Sequence, residues 1–283
     1  MGYGLDDRVE LLRDMENGAG PTDDFGLLNA CVQCLQPGEA ASLLSQEAES
    51  ASRLRNGLLK KVAQDVRASP SLDHYELAER LIARLGKADA RGRQGIGYCL
   101  STLLPDLPAE IQRRAQLAFL RSRFVGLRRR GYKAVAADLA PQMDFLREAW
   151  ATFQDAECAW LLVKLLSPQD LVVMKEEVLP LLSEGWQISR LYLRIAEVDP
   201  FAIEELNAVD GIAYSYVLAK LGRSLSIEQA QALITRYETD ERLGLLVWSI
   251  GQMQLWDALV WLRGRLAEVQ QNRHAHLMAK LGA

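Results

Sequence analysis

The sequence predicts an all-α chain, an α/α superhelix of about a dozen antiparallel helices stacked in pairs. Three observations carry this expectation. A short phrase recurs at residues 163–166, 193–196, 219–222 and 248–251, where the chain reads VKLL, LRIA, AKLG and WSIG. Aligned on Leu165, Ile195, Leu221 and Ile250, the copies are spaced by 30, 26 and 29 residues, the period of a stacked helix pair. Leu, Ala, Arg and Glu are abundant, and these side chains lose little rotamer freedom in a helix. No segment alternates apolar and β-branched residues between hairpin turns, as a strand requires.

The elements follow in order. Leu5, Val9 and Leu12 have helical spacing from Asp6 to Glu16, and Asn17 with Gly18 ends that run. Thr22 or Asp23 is placed to cap a helix through Leu35. Pro37 and Gly38 break the chain, and a long helix is expected over 39–67. Ser69 and Pro70 stop it, and Ser71 or Asp73 caps a helix ending at Leu85 and Gly86. Residues 87–97, polar and rich in glycine, read as a mobile loop or hinge. A helix runs on to Leu104, and Pro105 and Pro108 punctuate the chain before a long helix over 109–130, stopped by Gly131. Residues 132–140 and 143–153 form the next pair around Pro141. Beyond Asp155, breaks fall at Ser167–Pro168, Gly185, Asp199–Pro200, Asp210–Gly211, Arg223–Ser224 and Thr239–Asp240.

This pattern reads as one continuous array over 1–283. Residues 1–108 are less regular helices, 109–153 hold the long basic helix and the following pair, and 155–271 carry the clearest repeats. A net charge of −4 argues against non-specific nucleic-acid binding by the whole surface. No apolar run approaches the roughly 18 residues of a membrane span. The first residues have neither the basic nor the apolar region of a signal peptide, and Asp6 stands where a myristoylation signal needs Ser or Thr. Four cysteines are too few for a disulfide framework in a chain of this length, so a cytoplasmic location is expected.

The most unusual stretch is basic. Between Glu110 and Lys133, eight cations (Arg113, Arg114, Arg121, Arg123, Arg128, Arg129, Arg130 and Lys133) face one acid, a local +7 that leaves −11 elsewhere. At about 100° per residue, Leu117, Leu120, Phe124 and Leu127 would share one face of a helix. Arg114, Arg121 and Arg128 would flank it as one row, and Arg123 and Arg130 as the other. Such rows can grip phosphates or an acidic partner, or instead cover neighbouring helices and pair with Asp138, Asp144 or Glu148. With Arg129, Lys133 and Trp256, they are the candidate partner-binding residues. Trp256 opens a helix and is placed to be a surface anchor, while the other tryptophans read as core.

No catalytic motif is found. Cys31 and Cys34 have CxxC spacing without a second pair or a preceding strand, so buried thiols are expected rather than zinc or redox chemistry. Cys99 and Cys158 read likewise. His274 and His276 point to different helix faces. Residues 92–97 match no phosphate-binding loop. Glu176, Glu177, Glu204 and Glu205 read as solvated helix faces. No catalytic residue, metal or cofactor is assigned.

The last repeat runs from Arg242 to Leu266, with Ile250 and Gly251, a short turn, then Trp256, Asp257, Ala258 and Leu259. A Leu-Gly or Ile-Gly ending followed by an Ala-Leu helix resembles the short bacterial HEAT-like repeats of the phycobilin-lyase type. The resemblance covers the chain from about Asp155, with looser copies near Cys34 to Leu44 and at Leu85 and Gly86. It implies a HEAT-like solenoid. The expected function is a non-catalytic scaffold that binds another macromolecule, a protein, on a concave surface with an Arg-rich patch. The alternative is nucleic-acid binding, resembling the HEAT-like alkylpurine DNA glycosylases. A third reading, a lyase or chaperone for a tetrapyrrole-bearing protein, follows from the resemblance alone.

Overall fold

A computed structural model describes residues 5–18, 25–138 and 143–280 of the chain. They are all-α: eighteen α-helices and no strand occur among them. The number exceeds the expected dozen because single expected helices are split by local chemistry. Residues 39–67 are two helices, Pro37–Glu47 and Arg53–Ala68. The hydroxyl of Ser50 donates to the Glu47 carbonyl at 2.8 Å, and that of Ser52 accepts from the Arg55 N–H at 3.0 Å. Each gives the backbone an alternative to continuing the helix. The carboxylate of Glu16 accepts from the Arg53 N–H at 2.6 Å, satisfying a donor at the new N-terminus.

The chain divides into two compact units, Met1–Phe153 and Gln154–Ala283. In the first, α1 (Leu5–Gly18) and α2 (Phe25–Gln33) precede α3 (Pro37–Glu47), α4 (Arg53–Ala68), α5 (Leu72–Leu85) and α6 (Ala90–Leu103). Then come α7 (Ala109–Leu120), α8 (Val125–Ala137) and α9 (Met143–Phe153). Helices α2, α4, α6 and α8 pack side by side as one layer, and α3, α5, α7 and α9 as the other. Leu58, Leu81, Leu100 and Phe119 lie in the core of this unit with no measurable exposure. The expected cap at Thr22 or Asp23, the residues around Pro141 and the final three residues lie outside the described residues.

The glycine-rich stretch 87–97 is not a loop. Asp89 caps α6 by accepting from the Gly92 N–H at 2.7 Å. A Cβ at Gly95 would overlap the Ala48 carbonyl oxygen, and one at Gly97 would come within 2.6 Å of Leu127 Cδ2. These glycines let helices approach closely rather than bend the chain. Gly131, expected as a stop, lies inside α8 for the same reason. A Cβ there would meet Leu120 Cδ2 at 2.8 Å. The CxxC pair is a partial correction too: Cys31 is half-buried and Cys34 exposed, whereas Cys99 and Cys158 are buried.

The second unit holds α10 (Ala156–Leu165), α11 (Pro168–Val178), α12 (Gly185–Ile195), α13 (Glu204–Val209) and α14 (Gly211–Lys220). It continues with α15 (Ile227–Arg236), α16 (Leu243–Gln252), α17 (Trp256–Gly264) and α18 (Leu266–Lys280). The repeated phrase closes α10, α12, α14 and α16, which pack successively against one another. Four residues before each aligned position stand Leu161, Leu191, Val217 and Leu246, all buried. Six residues before it stand Ala159, Ser189, Ser215 and Gly244, small enough for close packing. The expected breaks are capping sites: Ser167 accepts from the Asp170 N–H, and Asp210 from the N–H groups of Ile212 and Ala213. Gly222 closes α14 at φ +67, the left-handed conformation glycine adopts freely.

Candidate binding groove

The basic stretch does not form one helix. After Leu120 the chain turns over 121–124, where Ser122 Oγ accepts from the Phe124 N–H at 3.2 Å, and α8 then packs back on α7. Arg128 Nη1 donates to the Ser122 carbonyl at 2.9 Å and ties the turn to the helix that follows. This overturns the expected stripe and its two flanking rows. Leu120 and Leu127 are buried, Leu117 and Phe124 only half-buried, and they come from different elements.

The break scatters the candidate arginines. Arg114 on α7 pairs with Glu79 of α5 at 2.6 Å. At the end of α7, Arg121 gives Glu148 of α9 two hydrogen bonds, at 2.6 and 3.0 Å. Those bonds hold the Glu148 carboxyl below its ordinary range and raise the Arg121 guanidinium. Arg128 is buried, with its guanidinium 4.0 Å from the Phe153 ring centroid. Arg123 lies 5.1 Å from the Phe124 ring, and Arg93 of α6 lies 3.5 Å from the same ring. Both stand beside a hollow of about 410 Å³ that Arg121 also lines. Arg114, Arg121 and Arg128 therefore do not form a row.

Three of the candidates do converge. Arg129, Arg130 and Lys133 line a groove of about 800 Å³ between α6, α7, α8 and the short turn Leu104–Asp106. Their spacing along α8 places all three toward one side of the helix. Leu104, Pro105, Ala134 and Ala137 supply apolar wall, and Asp138 is the one carboxylate among the lining residues. Arg130 Nη1 reaches Ser101 Oγ at 3.5 Å, and Ser101 Oγ donates to the Gly97 carbonyl at 2.7 Å. Gln112 Nε2 donates to the Leu107 carbonyl at 2.7 Å. Gln116 is buried in the wall, and its side-chain oxygen has no hydrogen-bond partner among the described residues. The arrangement can hold an anionic group beside apolar contacts, because guanidinium and ammonium groups supply charge-assisted bonds where an apolar wall excludes water.

Sequence reasoning missed Ser101, Gln112 and Gln116. Ser101 lies upstream of the basic run on α6, and Gln112 and Gln116 lie within it on α7. Only the packing of α8 against α6 and α7 brings them beside Arg129, Arg130 and Lys133. Trp256, in the second unit, is exposed at the start of α17. The core expectation for the other tryptophans holds for Trp150 but not for Trp186, 58% exposed, or Trp248, 40% exposed. Of the carboxylates expected as solvated faces, Glu205 pairs with Lys175, and Glu204 accepts from the Tyr214 hydroxyl at 2.9 Å. Compared with known proteins, the chain matches no family model, no curated protein and no solved structure.

Proposed function

We propose that this chain is a non-catalytic binding scaffold, and that the groove lined by Arg129, Arg130 and Lys133 takes an acidic segment of a protein partner. The observation that carries the reading is the convergence of three cations against one carboxylate on a groove with apolar walls. Carboxylates of a partner would meet guanidinium groups, whose planar donors match them, while aliphatic groups would cover Leu104 and Pro105. The HEAT-like resemblance belongs to the same proposal, and the two-layered packing of helices supports it. Extended helical-repeat surfaces commonly serve partner binding.

The test is fluorescence anisotropy of a labelled decaglutamate peptide and of a labelled DNA duplex, each titrated with the full chain across a salt series. The reading predicts saturable binding of the peptide at low salt and none of the duplex. Duplex binding that falls steeply with salt, with no peptide binding, would overturn it in favour of a nucleic-acid protein.

A further inference from the structure

The repeat register places chemistry as well as core. Five residues before each aligned position stand Trp160, Arg190, Tyr216 and Leu245. They belong to α10, α12, α14 and α16, which pack in succession. All four line one groove of about 730 Å³ in the second unit. The sequence period therefore becomes a row of rungs, one from each helix. Aromatic neighbours extend it. Trp186 packs edge-on to Trp160 with ring centroids 4.6 Å apart, and Trp248 lies 5.7 Å from Tyr216.

The charge of this row has one sign. Four residues after Trp160 and Tyr216, Lys164 and Lys220 return over those rings at 5.3 and 5.6 Å. Lys220 also lies 5.1 Å from the Trp248 ring. Arg190 occupies the rung between the aromatic ones. None of Lys164, Arg190 and Lys220 is in an ion pair with a carboxylate of the described residues. Arg242, by contrast, is bound to Asp210 at 2.7 Å and to Asp240 at 3.1 Å. Glu184 is the carboxylate among the lining residues.

We infer that this aromatic and cationic row is a docking site for an acidic, proline-rich peptide segment in the polyproline II conformation. The spacing selects that shape. Packed helices lie about 8–10 Å apart, and polyproline II repeats every three residues with a rise of about 3.1 Å each, roughly 9 Å per turn. One face of such a segment meets successive helices in step, whereas an extended strand alternates its faces. Aromatic grooves hold proline rings in this preformed helix at low entropic cost. The unpaired ammonium and guanidinium groups select carboxylates between the prolines. A single strand of nucleic acid also uses stacking and cations, which makes oligothymidylate the competing ligand in the test. This row is built from residues of the second unit alone and does not rest on the basic-groove reading.

The full chain is titrated with a synthetic peptide of repeated Pro-Pro-Glu units, with its Gly-Gly-Glu counterpart, and with oligothymidylate. Intrinsic tryptophan emission is the readout. Trp186 and Trp248 lie at the row, and the first unit has only the buried Trp150. The inference predicts a saturable emission change with Pro-Pro-Glu and affinity weaker by at least about tenfold for Gly-Gly-Glu. It also predicts a loss of about tenfold or more in the double variant Arg190→Glu/Lys220→Glu. Both residues are exposed, and far-UV circular dichroism checks that the variant is folded. Arg129→Glu/Arg130→Glu/Lys133→Glu leaves this titration unchanged, so failure of the basic-groove reading stays distinct from failure here. Equal affinity for the two peptides, no emission change, an unaffected double variant, or binding of oligothymidylate in place of the peptide would each overturn the inference.

Discussion

Gly131 of α8 lies against Leu120 of α7 so closely that a Cβ at the glycine would stand 2.8 Å from the leucine Cδ2. This contact sets how α8 returns along α7 and so positions the side chains of the basic groove. Gly131→Val forces that interface apart. Overpacking of this kind costs about 1–3 kcal/mol, so the urea midpoint falls with little change in slope. A midpoint equal to the parent's would mean that the two helices are not held by this approach.

The ion pair between Arg121 and Glu148 joins the end of α7 to α9, but both side chains are largely exposed. Exposed pairs contribute little to stability, because solvent screens them and ordering long side chains costs entropy. Arg121→Ala therefore leaves the urea midpoint essentially unchanged. A clear fall would show that the pair holds the helix ends together.

Asp210 has two tasks in the second unit. It caps α14 by accepting from the Ile212 and Ala213 N–H groups, each at 3.1 Å, and it binds Arg242 at 2.7 Å. Losing a cap costs about 0.5–2 kcal/mol, and Arg242 would lose one of its two carboxylates. Asp210→Ala is expected to destabilise by roughly 1–3 kcal/mol, and Asp210→Asn, which can still accept at the helix end, by less. Equal losses in denaturant titrations of the two variants would remove the capping explanation.

His74 gives a prediction with a sign. Burial pushes its pKa below the ordinary 6.5, against the opposing pull of Asp65 and Asp73 and with a smaller push from Lys61. The folded state thus takes up a proton less readily than the unfolded chain. The associated stability is fully present above about pH 6.5 and declines as pH falls from there toward the lowered folded value. His74→Gln should flatten this part of a profile of unfolding free energy against pH. A parent profile flat between neutrality and the acid limb would contradict it.

The repeats after Asp155 were legible because the same register positions are buried in each copy. Leu161, Leu191, Val217 and Leu246 make the periodicity, and Ser167, Asp210 and Gly222 supply the chemistry of the helix ends. The split of 109–130 was not legible. Leu117, Leu120, Phe124 and Leu127 keep helical spacing across a turn made by Ser122 and by the close approach at Gly131. Residues 92–97 misled for a related reason, since buried glycines at a helix crossing look in sequence like those of a loop. The excess of cations was plain, but the break decides their roles. It buries Arg128, ties Arg114 and Arg121 to acids of other helices, and leaves Arg129, Arg130 and Lys133 around one groove. The second unit's aromatic row was present in the period, five residues before each aligned position. Recognising it required knowing that α10, α12, α14 and α16 lie side by side.

The most direct measurement of the central claim is a charge reversal read against peptides of both signs. Arg129→Glu/Arg130→Glu/Lys133→Glu, with Arg129→Gln/Lys133→Gln as a milder companion, is titrated with labelled decaglutamate and decalysine by fluorescence anisotropy. If the groove holds an acidic segment, decaglutamate affinity falls by at least about tenfold in the reversed variant. The milder variant then lies between it and the parent, and decalysine binding appears only after reversal. Unchanged decaglutamate affinity in a reversed variant that keeps the parent's helical circular dichroism would contradict the account.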